Sequence, residues 1–145
     1  MSRIVSFRGK IADLSIDQIS LHTTNGSVGY RITKLELISA LPGAQSQESV
    51  VKIYKTPQTG IPDATIDFSD NRLLAVGYYR DNNNDIYPTS SDIIFDSEKF
   101  NQDIYITHKD VAVGQEVNYY IELEQVSLDL NENTVATLKD IRNIA

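Results

Sequence analysis

Cysteine and tryptophan are both absent from this chain of 145 residues. Without cysteine, neither disulfide bonds nor thiolate metal sites are available to the protein. A chain of this length can still bury a sizeable core without such cross-links. We therefore predict a single domain spanning residues 1–145.

Long apolar runs are missing as well. No segment is apolar over enough residues to span a bilayer, so we expect no membrane partner. The first eight residues, Met1–Arg8, lack the apolar core of a signal peptide. We therefore expect the chain to be made and folded in the cytoplasm of a cell.

Clustered positive charge is a third absence. The chain has a net charge of −7, and its thirteen basic residues are scattered along it. Binding to a nucleic acid backbone needs lysine and arginine concentrated on one surface, so we expect no nucleic acid partner. The acidic balance is typical of a soluble, mutually repelling surface.

Catalytic motifs are absent too: the chain has no H-E-x-x-H, G-x-S-x-G, Walker A or G-x-G-x-x-G pattern. Its two histidines, His22 and His108, lie in predicted strands. Because His108 follows Ile104 and Ile106 in phase, we expect it at the edge of the core, bonded to a backbone carbonyl. We predict no catalytic residue, no cofactor and no enzymatic activity.

One polar segment resembles the start of a calcium loop. Asp81–Asp85 places acidic or amide side chains at alternate positions, and Asp92 stands where a twelfth-position ligand would lie. However, Ile86 occupies the place of the usual glycine, the twelfth residue is not glutamate, and no helices flank the loop. A surface turn is the preferred interpretation, and we predict no metal site.

What the sequence does contain is side-chain alternation with a period of two, the signature of strands that have one buried face. The clearest stretch is Ile93–Val126, whose two alternating runs flank a short polar loop with a glycine. We predict a central β-hairpin here. The side chains expected to face inward are Ile104, Ile106, Val117, Tyr119, Ile121 and Leu123.

A second hairpin is predicted where Asp17–Thr23 leads into a strand that starts at Val28. Asn25-Gly26 lies between them, and both residues accept the positive φ of a type I′ turn. The apolar phase then changes between Ile32 and Leu35, which predicts a β-bulge near Thr33-Lys34.

The remaining segments complete an all-β pattern of about eight or nine short strands. One of them is Ala64–Phe68, with Ile66 and Phe68 inward. No alternation of strands and helices indicates a parallel sheet. We predict a single antiparallel β-sandwich, with a jelly roll as the leading topology and a short C-terminal helix over residues 131–144. Residues 1–12 form either a first strand or an extended N-terminal arm.

Tyrosine is abundant, with eight residues, and adjacent pairs occur at Tyr78-Tyr79 and Tyr119-Tyr120. Because neighbours on a strand face opposite ways, each pair sends one ring outward. An outward tyrosine suits contact with protein or carbohydrate, although it is equally an ordinary surface residue of a strand. The interface residues we predict are Tyr79 and Tyr120, together with Val5 and Phe7 of the arm.

Five segments together carry a family resemblance. They are I-S-L-H-T-T-N-G-S-V-G-Y-R-I-T-K at Ile19–Lys34, S-V-V-K-I-Y-K-T at Ser49–Thr56, T-I-D-F-S-D-N-R-L-L-A-V-G-Y-Y at Thr65–Tyr79, I-I-F-D-S-E-K-F-N-Q-D-I-Y-I-T at Ile93–Thr107 and N-Y-Y-I-E-L-E at Asn118–Glu124. The chain resembles small virion structural proteins of marine tailed bacteriophages, from about residue 19 to residue 144.

The resemblance implies a β-rich, non-enzymatic protein that assembles on the phage particle. We expect a capsid decoration, or cement, protein that binds the major capsid protein or other virion proteins and forms a homo-oligomer there. A tail, adaptor or fibre-attachment component is the alternative within the virion. A soluble carbohydrate-binding module is the alternative from another class, which the lack of tryptophan disfavours.

Overall fold

The computed structural model describes residues 3–21, 27–43, 46–81, 89–95 and 98–128. No helix occurs in these ranges, so none of the described residues belongs to a membrane-spanning helix. The predicted helix at 131–144, the Asn25-Gly26 turn and His22 lie outside them. The described chain forms eight strands: β1 Arg3–Ile11, β2 Ile16–Ile19, β3 Val28–Ser39, β4 Gln47–Tyr54, β5 Leu73–Asp81, β6 Thr89–Ile94, β7 Ile104–Asp110 and β8 Val117–Ser127.

These strands form two antiparallel sheets packed as a sandwich. The three-stranded sheet has the order β1-β8-β3, and the five-stranded sheet has the order β2-β7-β4-β5-β6. One apolar cluster fills the space between them, and β7 and β8 contribute much of it. The predicted all-β antiparallel sandwich is therefore confirmed.

The inward residues of β7 and β8 are those that the alternation predicts. Ile104, Ile106, Ile121 and Leu123 are all completely buried, and Tyr119 is nearly so. The predicted bulge is also confirmed, because the register of β3 against β8 shifts between Ile32 and Lys34. That shift returns Leu35 and Leu37 to the core side after the phase change.

The N-terminal segment is a strand. Arg3–Ile11 pairs with β8 along its whole length, with Arg3 opposite Gln125 and Ile11 opposite Val117. Val5 and Phe7 are half-buried against the core cluster. An extended arm is therefore the wrong interpretation of these residues, because their apolar face is used inside the sandwich.

Both predicted hairpins are wrong. β7 pairs with β2 and β4, whereas β8 pairs with β1 and β3, so the two strands lie in different sheets. In the same way, among the strands of the described residues, β2 pairs with β7 and β3 pairs with β8, so these two strands also lie in different sheets. Alternation shows which face of a strand is buried, but it does not show which strand lies beside it. Two strands on opposite sheets of a sandwich have the same alternating pattern as two strands that are hydrogen-bonded to each other.

Asp110 holds the connection that carries the chain from β7 to β8. Its carboxylate accepts hydrogen bonds from the backbone N–H groups of Glu48 (3.0 Å), Ala112 (3.0 Å) and Gln115 (2.7 Å). Its own N–H donates to the carboxylate of Asp13 at 2.7 Å. Since Asp110 is buried, these bonds satisfy groups that water does not reach.

Residues 55–72, which we call the strap, cover the outer face of the five-stranded sheet. The buried Lys52 ammonium fastens the strap by donating to the Asp63 carboxylate at 3.0 Å and to the Thr65 carbonyl at 2.7 Å. The strand predicted within it at Ala64–Phe68 is wrong, because this segment has no strand pairing. Ile66 and Phe68 are 42% and 57% exposed instead of inward.

The strap also bears on the orientation of Tyr79 in β5. A second apolar cluster forms beneath it, with Val76 on the outer side of the sheet. On the inner side of β5, the residues at alternate positions before Tyr79 are the small Ala75 and Gly77, where a Cβ on Gly77 would lie 2.8 Å from Leu37 Cδ1. The register shift next to them leaves Leu74 in the core cluster as well. Tyr79 faces the core, so the expectation that it points outward is wrong.

We expect the Asp110→Ala substitution to lower the free energy of unfolding by about 3 kcal/mol, because three backbone donors lose a buried acceptor. Urea denaturation followed by circular dichroism measures the change. Asp110→Asn, which keeps one carbonyl oxygen, should lose less. The exposed Asp67→Ala variant is the matched control and should lose much less stability than Asp110→Ala. An Asp110→Ala loss no larger than the control would contradict this role.

Candidate interaction face

The outer face of the three-stranded sheet is an exposed surface that carries side chains of several chemical types. The register places Arg8 opposite Tyr120, and Tyr120 opposite Glu36. On the next outward row, Asn118 lies opposite Ile38, which is 59% exposed. An aromatic ring, an apolar side chain, an amide and charges of both signs therefore share one surface.

These side chains enclose a shallow groove of about 420 Å³. Because the strands are pleated, these side chains lie on the outer side of the sheet. The intervening residues Gly9 and Tyr119 form the floor of the groove. We call this groove and its rim the Tyr120 face, defined by Arg8, Gly9, Glu36, Ile38, Asn118, Tyr119 and Tyr120.

Tyr119 supports the floor of the groove. Its ring packs so close to Gly9 that a Cβ there would lie 2.7 Å from the Tyr119 hydroxyl oxygen. The hydroxyl donates to the Asp17 carboxylate at 3.2 Å. Burial, with a smaller contribution from Asp17, raises the pKa of Tyr119 to about 12. The phenol is therefore neutral at physiological pH, and this bond links the floor to the start of β2.

Tyr120 is held in a fixed orientation on the surface. Its hydroxyl donates to the Glu122 carboxylate at 2.8 Å, and this bond raises the pKa of Tyr120. The Lys34 ammonium lies 5.9 Å from the centre of the ring, and Lys34 also forms a 3.7 Å ion pair with Glu36. A ring whose rotation is already restricted loses little conformational entropy when a partner binds.

Of the four predicted interface residues, only Tyr120 lies on this face. Val5 and Phe7 point into the sandwich, and Tyr79 is 4% exposed, so the expectation that Tyr79 points outward is wrong. Arg8, Glu36, Ile38 and Asn118 were not predicted. Each of them alternates with the apolar residues of its own strand, and this alternation predicts that its side chain faces outward. The sequence does not show that the four side chains are neighbours, because that depends on the strand register.

His108 is the group closest to catalytic chemistry, and it is inaccessible. Its Nε2 lies 2.9 Å from the Ser49 hydroxyl, and the Gln47 amide donates to the same hydroxyl at 2.8 Å. His108 and Ser49 are both completely buried. The predicted position at the edge of the core is therefore wrong, because this trio forms a polar network inside the sandwich.

Burial lowers the pKa of His108 below its usual value, although the backbone carbonyls of Ala12 and Ile11 and the charges of Asp13 and Asp110 act in the opposite direction. Nδ1 forms no hydrogen bond of good geometry with the described residues. Because burial outweighs the opposing interactions, a proton on His108 would add a charge to a site that solvates it poorly. The neutral imidazole is the form that the folded protein accommodates.

We expect the folded protein to lose stability as the pH falls below about 6.5, because His108 binds a proton more readily in the unfolded chain. The loss from this group is at most about 1.4 kcal/mol per pH unit. Urea denaturation at a series of pH values should show a shallower acid slope in His108→Gln than in the natural protein. His22→Gln is the control for the other histidine. Equal slopes in all three proteins would contradict the assignment.

Asp81, the first residue of the calcium-like segment, is engaged within the protein. Its carboxylate accepts hydrogen bonds from the Gly43 N–H at 2.7 Å and the Tyr79 hydroxyl at 3.4 Å. Residues 82–88 lie outside the described ranges. Within those ranges, no three acidic or histidine side chains are grouped as they would be around a metal ion.

Comparisons with protein-family models, with curated proteins and with solved structures each found no match to this chain. The candidate site is therefore defined by its own geometry.

Proposed function

We propose that this chain is a non-enzymatic virion structural protein, a capsid decoration protein that docks on the major capsid protein through the Tyr120 face. The observation that carries the proposal is the open groove at Tyr120, where a fixed aromatic ring lies among Arg8, Glu36 and Ile38. Aromatic residues and arginine are the side chains that most often dominate the binding energy of protein interfaces. The sequence resemblance to phage virion proteins supports the same assignment.

The architecture is compatible with this role. One sheet has the order β1-β8-β3, and the other begins with the order β2-β7-β4-β5. We propose that this strand order is that of a jelly roll in which β6 has been added beside β5. A rigid sandwich presents a fixed surface, so little ordering entropy is lost on docking. Many copies could cover a symmetric shell even if each copy bound it only modestly. Copies joined in an oligomer would bind several sites at once and would therefore bind the shell more tightly than a single copy.

The copy number per particle distinguishes the virion alternatives. We expect quantitative mass spectrometry of purified particles to find on the order of hundreds of copies, because a decoration protein follows the symmetry of the shell. A count of roughly six to twelve would indicate a neck, adaptor or tail ring instead. Absence of the chain from purified particles would overturn the structural role altogether.

The contribution of the Tyr120 face is tested by particle binding. We expect Tyr120→Ala to weaken binding of the purified chain to particles that lack it by roughly 30-fold, the effect of losing a central aromatic contact. Tyr78→Ala is the matched control, because Tyr78 is also half-buried and also bonds a glutamate, but lies on the five-stranded sheet. Equal weakening by both variants would exclude the Tyr120 face as the docking surface.

Carbohydrate binding is the second candidate, favoured by one specific feature of the groove. An aromatic ring next to a guanidinium, a carboxylate and an amide offers both a stacking surface and hydrogen-bonding groups for a sugar. A glycan array followed by calorimetric titration separates the two functions. Saturable sugar binding that Tyr120→Ala abolishes, in a chain absent from particles, would favour the carbohydrate-binding module.

A further inference from the structure

The free edge of β6 has the properties of a second interaction surface, distant in sequence from the Tyr120 face. β6 is the last strand of the five-stranded sheet, and in the described part of the chain no strand pairs with its outer edge. Its first five residues are all exposed. An unpaired edge presents backbone donors and acceptors that another strand can use.

The other three sheet edges carry features that hinder such pairing. β1 has three cations on its nine residues, Arg3, Arg8 and Lys10. β2 is only four residues long. β3 is bulged after Ile32 and is bridged at Tyr30 by Phe100. Charged side chains, short length, bulges and covering segments are the means by which proteins protect sheet edges.

β6 has almost none of these protections. Thr89–Ile94 contains no lysine, arginine or proline, and its single charge is Asp92. Ile93 is 43% exposed on the outer side of the sheet. The strap adds Phe68, which is 57% exposed and stacks edge-on against Phe95 at 5.4 Å, just beyond the end of β6. An apolar strip therefore borders the unpaired backbone.

The register determines which backbone groups point outward. The Phe95 N–H donates to the Leu74 carbonyl at 3.0 Å, so Phe95 is bonded inward, toward β5. Because hydrogen-bonded pairs alternate along an antiparallel ladder, Ile93 and Ser91 are also bonded inward. The N–H and C=O groups of Asp92 and Ile94 then point toward the free edge.

We propose that β6 pairs with β6 of a second copy of this chain, antiparallel about a two-fold axis at Ile93, and so joins two five-stranded sheets into one. In this register Asp92 of each copy forms the hydrogen-bonded pair with Ile94 of its mate. Ile93 faces its counterpart across the axis, where side chains of a non-hydrogen-bonded pair approach most closely.

The distribution of charge favours this register and a second copy as the occupant. A register centred on Asp92 would satisfy the same outward groups but would place two carboxylates opposite each other, which is destabilising. Centring on Ile93 moves the two Asp92 side chains to a diagonal separation of roughly 8 Å and buries apolar surface instead. Each strand of the pair then supplies the backbone donors and acceptors that the outward groups of the other strand require. Repulsion between two copies that each have a net charge of −7 is screened at physiological salt.

Light scattering coupled to size-exclusion chromatography tests the association over a range of protein concentrations at physiological salt. We expect a dimer whose dissociation constant rises roughly tenfold or more in Ile93→Lys, because lysine on an edge strand opposes pairing. Val113→Lys is the matched control, since Val113 is 48% exposed but lies in the β7–β8 connection. A natural protein that is monomeric at every concentration, or a dimer unaffected by Ile93→Lys, would overturn the proposal.

Cross-linking tests the register itself, since the chain contains no cysteine. Ile93→Cys should form a disulfide-linked dimer under mild oxidation, because the two Cβ atoms on the axis lie within disulfide range. Ser91→Cys and Val113→Cys should cross-link at least tenfold more slowly, roughly the background rate of random encounter. Faster cross-linking of Ser91→Cys would reject the Ile93 axis. Both tests use the purified chain without particles, so they are independent of the proposed function.

Discussion

The structure depends on the burial of the inward face of β8 between the two sheets. Val117, Ile121 and Leu123 are completely buried, and the same strand carries the backbone pairing of both β1 and β3. Removing these side chains from water supplies the main favourable free energy of such a fold. Disulfide bonds cannot add to it, because the chain contains no cysteine. The position of β8 also places Tyr120 at the centre of the outer surface, between its neighbours on β1 and β3.

Buried polar groups lie where the chain passes from one sheet to the other. Asp110 binds three backbone N–H groups around the β7–β8 connection, and His108, Ser49 and Gln47 form a bonded trio beside it. Such groups contribute modestly when paired and cost much when unpaired, so they restrict the chain to the one path that satisfies them. The seclusion of His108 follows from this structural use, and it removes the side chain from any surface chemistry.

Because the inner faces are used for stability, recognition is left to the surfaces that remain exposed. The Tyr120 face has a hydrogen-bonded ring with charges of both signs, whereas the β6 edge has backbone groups that pair with no other described strand, beside Ile93 and Phe68. The first suits a partner with complementary side chains, and the second suits another strand. In the function that we propose, the Tyr120 face would dock on one partner while the β6 edge pairs with a second copy, an arrangement that suits multivalent binding to a symmetric particle.

Alternation in the sequence was sufficient to determine most of the strands, the buried set of β7 and β8, and the bulge between Ile32 and Lys34, because local side-chain period reports directly on burial. It wrongly indicated a strand at Ala64–Phe68. It did not determine partners. The assignment of β7 and β8 to different sheets, the inward position of Tyr79 and the alignment of Arg8 with Glu36 across Tyr120 were decided by tertiary structure. The physical reason is that a strand's own sequence encodes which face avoids water, whereas its neighbours depend on the packing of segments far apart in the chain, such as the strap that buries Val76.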